Sequence, residues 1–140
     1  MIEYQYDSIS KLIIDPAIYF PWIKLAILEE SHQIGDLFYH FCSDDVLLKI
    51  NQDYLQHDYL TDIITFPLSV QSEIISGEIF ISIDRVSENA SALQTEFERE
   101  FARVLIHGVL HLLGYDDHTD EDRLQMRAKE DYYLSLLPQK

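Results

Sequence analysis

The residues best suited to chemistry in this chain are two histidines four positions apart, followed closely by a third group able to join them. They sit in the run His107-Gly108-Val109-Leu110-His111-Leu112-Leu113-Gly114-Tyr115-Asp116-Asp117-His118. On an α-helix, side chains four apart lie about 40° from each other around the axis, so His107 and His111 project from one face. Two neutral imidazoles in that relation chelate one divalent metal, and the helix holds their separation. A third ligand can come from Asp117, ten positions after His107, or from His118, eleven after it. Zinc accepts carboxylate oxygen or imidazole nitrogen, and chemistry alone leans to His118. A metal with three protein ligands keeps a fourth position for water, whose pKa falls toward ~7. Such a site would cleave a phosphodiester or an amide.

The elements around this run must position it. Phe97, Phe101, Val104, Leu105 and Leu112 form a neighbouring apolar stripe, so the helix is packed and its ligand face is rigid. Gly108 costs about 1 kcal/mol relative to Ala inside a helix, which points to a close approach there by another element or a substrate. Gly114 stands where a helix needs a left-handed residue at its end. Thr119 and Asp122 have the spacing of an N-cap pair for the next helix, so Tyr115–His118 is pinned between two helix ends. His32, His40 and His57 have no partner at useful spacing and are expected to be surface or structural residues.

Elsewhere, Ile2–Tyr6 alternates as a short strand. Asp15-Pro16 predicts a helix running to about Ser31. Ile34–Phe41 predicts a second strand, and Ser43-Asp44-Asp45 starts a helix with Val46, Leu47, Ile50 and Tyr54 at helical spacing. Asp62–Phe66 and Ile74–Ile83 predict a third and a fourth strand, with Gly77 as a bulge or close-approach point. From Arg85 the pattern turns helical, in two pieces ending at Gly114, and a last helix covers about Asp120–Leu136. Interleaved strands and helices make this one α/β (α+β layered) domain with about four strands, residues 1–140, with no linker or repeat dividing it.

Composition sets the environment. The chain has 140 residues, 47% of them hydrophobic, which suffices for a real core. The single cysteine, Cys42, excludes an internal disulfide, suits a reducing cytoplasm, and reads as a buried hydrophobe at a strand end. Met1–Tyr4 lacks the pattern of a signal peptide, and Ala17–Leu28 is interrupted by Pro21 and Lys24, so a soluble cytoplasmic protein without membrane contact is expected. The net charge of −15 repels polyanions in general and argues against indiscriminate nucleic-acid binding. Arg85, Arg99 and Arg103 precede the histidine run, and Arg123, Arg127 and Lys129 follow it. They read as helix faces paired with neighbouring acids, or as a local positive groove on an acidic body.

The histidine run is similar to the signature of the YbeY family of bacterial rRNA maturation factors, His-Gly-x-Leu-His-Leu-x-Gly-Tyr-Asp-His, with every fixed residue matched over 107–116. Asn51-x-x-Tyr54, Thr61–Pro67 and Gly77–Ile81 also resemble the family in order and spacing, so the resemblance covers most of the chain. It implies a small mixed sheet with packed helices and a zinc site at the end of a long central helix. It further implies a single-strand-specific, zinc-dependent endoribonuclease with one Zn2+ per chain, acting in rRNA maturation and ribosome quality control. Ribosomal RNA and a ribosomal protein or the small subunit would be its partners, with no DNA expected. Three departures stand out. The family's third histidine is replaced by Asp117, with His118 one residue late, and the helix register downstream favours Asp117. An arginine usually following Asn-x-x-Tyr is Leu55, and Glu78 stands where relatives carry Asp. Asp116 and Glu78 are the candidate general bases, Arg103 or Arg99 the candidate phosphate contacts, and Thr61–Phe66 either an edge strand lining the cleft or a core strand. The runner-up is a zinc peptidase, which would need a glutamate where Gly108 stands. A non-catalytic ribosome assembly factor with structural zinc is a further alternative, separated by its need for four protein ligands.

Overall fold

A computed structural model describes residues 1–55, 61–68 and 73–138; the side chain of Leu55 and all of His57 lie outside the described residues. Strand β1 (Ile2–Tyr6) is followed by a 3-10 turn (Pro16–Tyr19), helix α1 (Phe20–Glu29), β2 (Gln33–Cys42) and α2 (Asp44–Leu55). Then come β3 (Ile63–Pro67), β4 (Ile74–Ser82), α3 (Ile83–Ala92), α4 (Phe97–Leu112) and α5 (Asp120–Ser135). The sheet has the order β1-β2-β4-β3, with β1, β2 and β4 parallel and β3 antiparallel to β4 at one edge. The expected four-stranded mixed sheet with packed helices is therefore present, and of the Thr61–Phe66 stretch Ile63–Phe66 lies in the edge strand β3.

Period-two alternation decides which face each strand buries. Leu37, Tyr39 and Phe41 of β2 and Ile75, Ile79 and Ile81 of β4 join Trp22, Ile23, Ala26 and Ile27 of α1 and most of α4 in the main core. On the other face, α2 covers a smaller cluster of Cys42, Leu47 and Ile64, flanked by Phe66 and Phe80. Cys42 is fully buried there, as its type suggested, and burial pushes its thiol up to about 12. Helix α4 buries Phe101, Ala102, Val104, Leu105, Ile106, Val109 and Leu110, apolar positions on most of its circumference, which makes it the central helix.

The start of α1 differs from the sequence expectation, and the structure decides between the two expectations for Gly77. Asp15 does cap, accepting from the Ala17 N–H at 3.0 Å, but the first turn is 3-10 and the α-helix starts only at Phe20. Pro21 is the reason: an α-helix begun at Pro16 would need a Pro21 N–H for the Ala17 carbonyl, and proline has none. The Phe20 N–H reaches that carbonyl instead. Gly77 is a close-approach point and not a bulge, since a Cβ there would lie 2.9 Å from the Phe66 carbonyl oxygen and 3.0 Å from Leu112. The register shift between β2 and β4 falls between Ile34 and Leu37. Gly108 is likewise packed against an element, with Ile63 and Ile79 within 3.0 Å of where its Cβ would be. Among the described residues no helix is long and apolar enough to cross a membrane.

Candidate metal centre

Helix α4 ends in hydrogen bonds that carry the chain back across its own face. Gly114, at φ +107°, takes the left-handed slot, its N–H bonds the His111 carbonyl at 3.0 Å, and the Tyr115 N–H bonds that of Leu110 at 3.0 Å. This is the Schellman closure that the glycine predicted. Five residues after Gly114, Thr119 begins a full capping box with Asp122 at the start of α5. Arg123 donates to the carbonyls of Asp117 and His118, 3.2 Å each, which fixes the segment between the two helices.

The result brings His107, His111 and Asp117 together, with one ligand atom from each within 4.8 Å of the others. Asp117 Oδ2 is 3.5 Å from His111 Nε2 and 3.8 Å from His107 Nε2. Ligands at zinc's usual bond lengths in a tetrahedral arrangement stand about 3.4 Å apart, so the spacing fits a cation with little adjustment. The donor set fits as well. Burial, reinforced by His107, lowers the His111 pKa against the opposing pull of Asp117, which favours the neutral, ligating imidazole. His118 stands outside the group: its ring is 80% exposed and its nearest charged partner is Asp116, at 3.9 Å.

Behind the cluster lies a buried charge network that sequence reasoning missed. The Glu130 carboxylate, 2% exposed, accepts from His107 Nδ1 at 2.6 Å through Oε2 and from Arg103 Nη1 at 3.0 Å through Oε1. A carboxylate can only accept, so Nδ1 carries the proton and the Nε2 lone pair is directed to the ligand side. Burial would raise the Glu130 pKa, but the His107 hydrogen bond and the Arg103 charge outweigh it and hold Glu130 ionised. Arg103 is itself clasped by the buried Glu100, and these carboxylates keep it protonated despite its own burial. The one local sign of Glu130 is its place in the buried stripe of α5 with Met126, Tyr133 and Leu134, where an ionised residue demands a partner.

The remaining candidates are distributed as follows. Arg103 is only 15% exposed, and its guanidinium is turned to the carboxylates of Glu100 and Glu130 and not outward to solvent. Glu78 is on β4 but on the face opposite α4, since Gly77 and Ile79 are the residues meeting that helix. Its partner is His40 Nε2 at 3.0 Å, and His40 Nδ1 also faces Asp7 at 3.1 Å, which makes His40 a buried structural residue. Asp116 is 61% exposed at the rim of the turn, and Arg99 is exposed on α4.

The family model described as Endoribonuclease YbeY matches residues 19–138. The Endoribonuclease YbeY of Flavobacterium psychrophilum is 48% identical over 136 residues, 97% of this chain and 96% of its own. That of Amoebophilus asiaticus is 47% identical, covering 95% of this chain and 90% of its own. The solution structure of TM1509 from Thermotoga maritima aligns with a TM-score of 0.69 at 30% identity, covering 96% of this chain and 87% of that one.

Proposed function

This chain belongs to the endoribonuclease YbeY family, and on that premise we propose that it is a zinc-dependent hydrolase cutting single-stranded RNA during ribosomal RNA maturation. One observation carries the reading: two imidazoles, that of His107 oriented by Glu130, and one carboxylate converge within 4.8 Å at the end of the central helix. Zinc held here would supply a Lewis acid and would lower the pKa of a bound water toward ~7. His107 and His111 would be its neutral donors and Asp117 its third ligand. Glu130 keeps the His107 proton on Nδ1, Arg103 keeps Glu130 ionised, and Arg123 holds the turn that carries Asp117. Asp116, adjacent to Asp117 and exposed, would be the proton acceptor, whereas Glu78 lies on the sheet face away from α4. Ribosomal RNA in the cytoplasm, with ribosomal protein or the small subunit as docking partner, is the substrate context this reading adopts.

Two alternatives are weaker on particular observations. A peptidase glutamate in place of Gly108 would collide with Ile63 and Ile79. A structural zinc calls for four protein ligands, and among the described residues the group has three.

The test is metal content by elemental analysis together with single- and double-stranded RNA cleavage. About one zinc per chain is expected, lost with cleavage in His107→Ala and Asp117→Ala and retained in His118→Ala. An absence of bound metal in the wild type, or full cleavage by His107→Ala, overturns the mechanism. Metal loss in His118→Ala, with retention in Asp117→Ala, would exchange the third ligand.

A further inference from the structure

A net charge of −15 sets protein and polyanion against each other, so an RNA substrate needs a local exception to that field. A cleft of about 540 Å³ beside His107 supplies one. Its charged lining consists of Arg103, Arg123 and Arg127 with Asp117, Asp120 and Glu130. Three guanidiniums balance three carboxylates, so the whole net charge lies elsewhere on the chain. A divalent cation on His107, His111 and Asp117 would turn the neutral cleft positive.

The three arginines differ in what they have left to offer. Arg103 is enclosed by Glu100 and Glu130. Arg123 spends Nη1 on two carbonyls and Nη2 on Asp120. Arg127 is 54% exposed, and its ion pair is a 3.7 Å approach to Glu130 Oε1, an oxygen that already accepts from Arg103 at 3.0 Å. At that distance no hydrogen bond is made, so Arg127 keeps its planar fork of donors for a phosphate. Leu124, one turn before Arg127 on the same face of α5, is 73% exposed and lines the same cleft. It offers an apolar surface to a ribose or base beside the charge.

We infer that Arg127 is a phosphate-binding residue for the polynucleotide, set next to the metal ligands by α5, and that a metal in the adjacent site strengthens its hold. This rests on the endoribonuclease reading above. The position matters because Arg127 is the lining arginine whose fork is neither buried nor bound to the turn. A backbone phosphate held there would lie alongside the metal group, with the neighbouring phosphodiester presented to His107 and Asp117.

The experiment is fluorescence anisotropy with a labelled single-stranded 2′-O-methyl oligoribonucleotide, checked intact by gel afterwards, over a range of salt. Zinc-loaded wild type is compared with Arg127→Ala, Arg127→Lys and, as a control for net charge, Lys24→Ala on the exposed side of α1. Arg127→Ala is expected to weaken binding about tenfold and to reduce the slope of log affinity against log salt by roughly 0.7, the value for one phosphate contact on a single strand. Arg127→Lys should recover part of the affinity and the whole slope, Lys24→Ala should match wild type, and stripping zinc should weaken the wild type. Wild-type affinity and slope in Arg127→Ala, or an equal loss in Lys24→Ala, overturns the inference while leaving the endoribonuclease reading intact. Equal wild-type binding with and without zinc overturns the metal's part in it. No binding by the zinc-loaded wild type at any salt overturns both the inference and the reading beneath it.

Discussion

At the scale of single residues, the chemistry of this chain depends on which nitrogen of His107 carries the proton. Helical spacing places two rings on one face but says nothing of their tautomers. Glu130 decides the matter for His107 by accepting from Nδ1 at 2.6 Å. Losing an outer-shell carboxylate of this kind typically costs ten- to a hundredfold in metal affinity. Glu130→Gln should therefore raise the zinc dissociation constant by about that factor, measured by competition with a chromophoric chelator. The amide still fills the space, so an unchanged dissociation constant alongside lowered stability would make Glu130 a packing residue only.

At the scale of elements, both α3 and α4 end in the same closure with different residues in the left-handed slot. Gly114 fills it after α4, and a Cβ there would meet nothing within 4 Å, so glycine is present for its backbone freedom alone. After α3 the slot holds Gln94 at φ +55°, with the Thr95 N–H bonding the Ala90 carbonyl at 3.0 Å. A side chain in that conformation costs about 1–2 kcal/mol, partly offset by the smaller entropy of the unfolded chain compared with glycine. Gln94→Gly is accordingly expected to stabilise the fold by roughly 0.5–1 kcal/mol in urea unfolding of the metal-free protein. A loss of stability would mean that the exposed Gln94 side chain makes contacts worth more than the strain.

At the scale of the whole molecule, Glu30 ties together the end of α1, the turn after α4, and α5. Its carboxylate accepts from Tyr115 at 2.6 Å, from Lys129 at 3.0 Å and from Tyr133. Burial would raise its pKa, but these three donors prevail and the folded value lies below the ordinary 4.5. The unfolded chain therefore binds the proton more readily. The stabilisation from Glu30 is fully present above about pH 4.5 and is lost as pH falls through the folded value. Glu30→Gln should be less stable than wild type near neutrality and should show a flatter loss of stability below about pH 4.5, measured as urea midpoints against pH. Parallel acid limbs in the two proteins would assign the acid sensitivity to other carboxylates.

What the sequence by itself determined were the features carried by neighbours along the chain. Strand β1 lies where alternation puts it, at Ile2–Tyr6, because side-chain direction in a strand is a local property. His107 and His111 share a face because the helix repeat is local too, and Gly114, Thr119 and Asp122 mark the turn because capping reaches only three or four residues. Proline 21 was equally visible, and its effect on the first turn of α1 follows from one missing N–H. Only the tertiary structure could choose the geometry of the third group, because Asp117 and His118 are adjacent and a turn aims neighbours in different directions: Asp117 meets the imidazoles and His118 faces solvent. It also removed Glu78 from the site, since which face of the sheet meets α4 depends on packing and not on β4 alone. The partners that hold the site in place, Glu130 for His107 and Glu30 for Tyr115, lie 23 and 85 residues away along the chain. No periodicity spans such distances; those pairs exist because folding buries charges that must find one another.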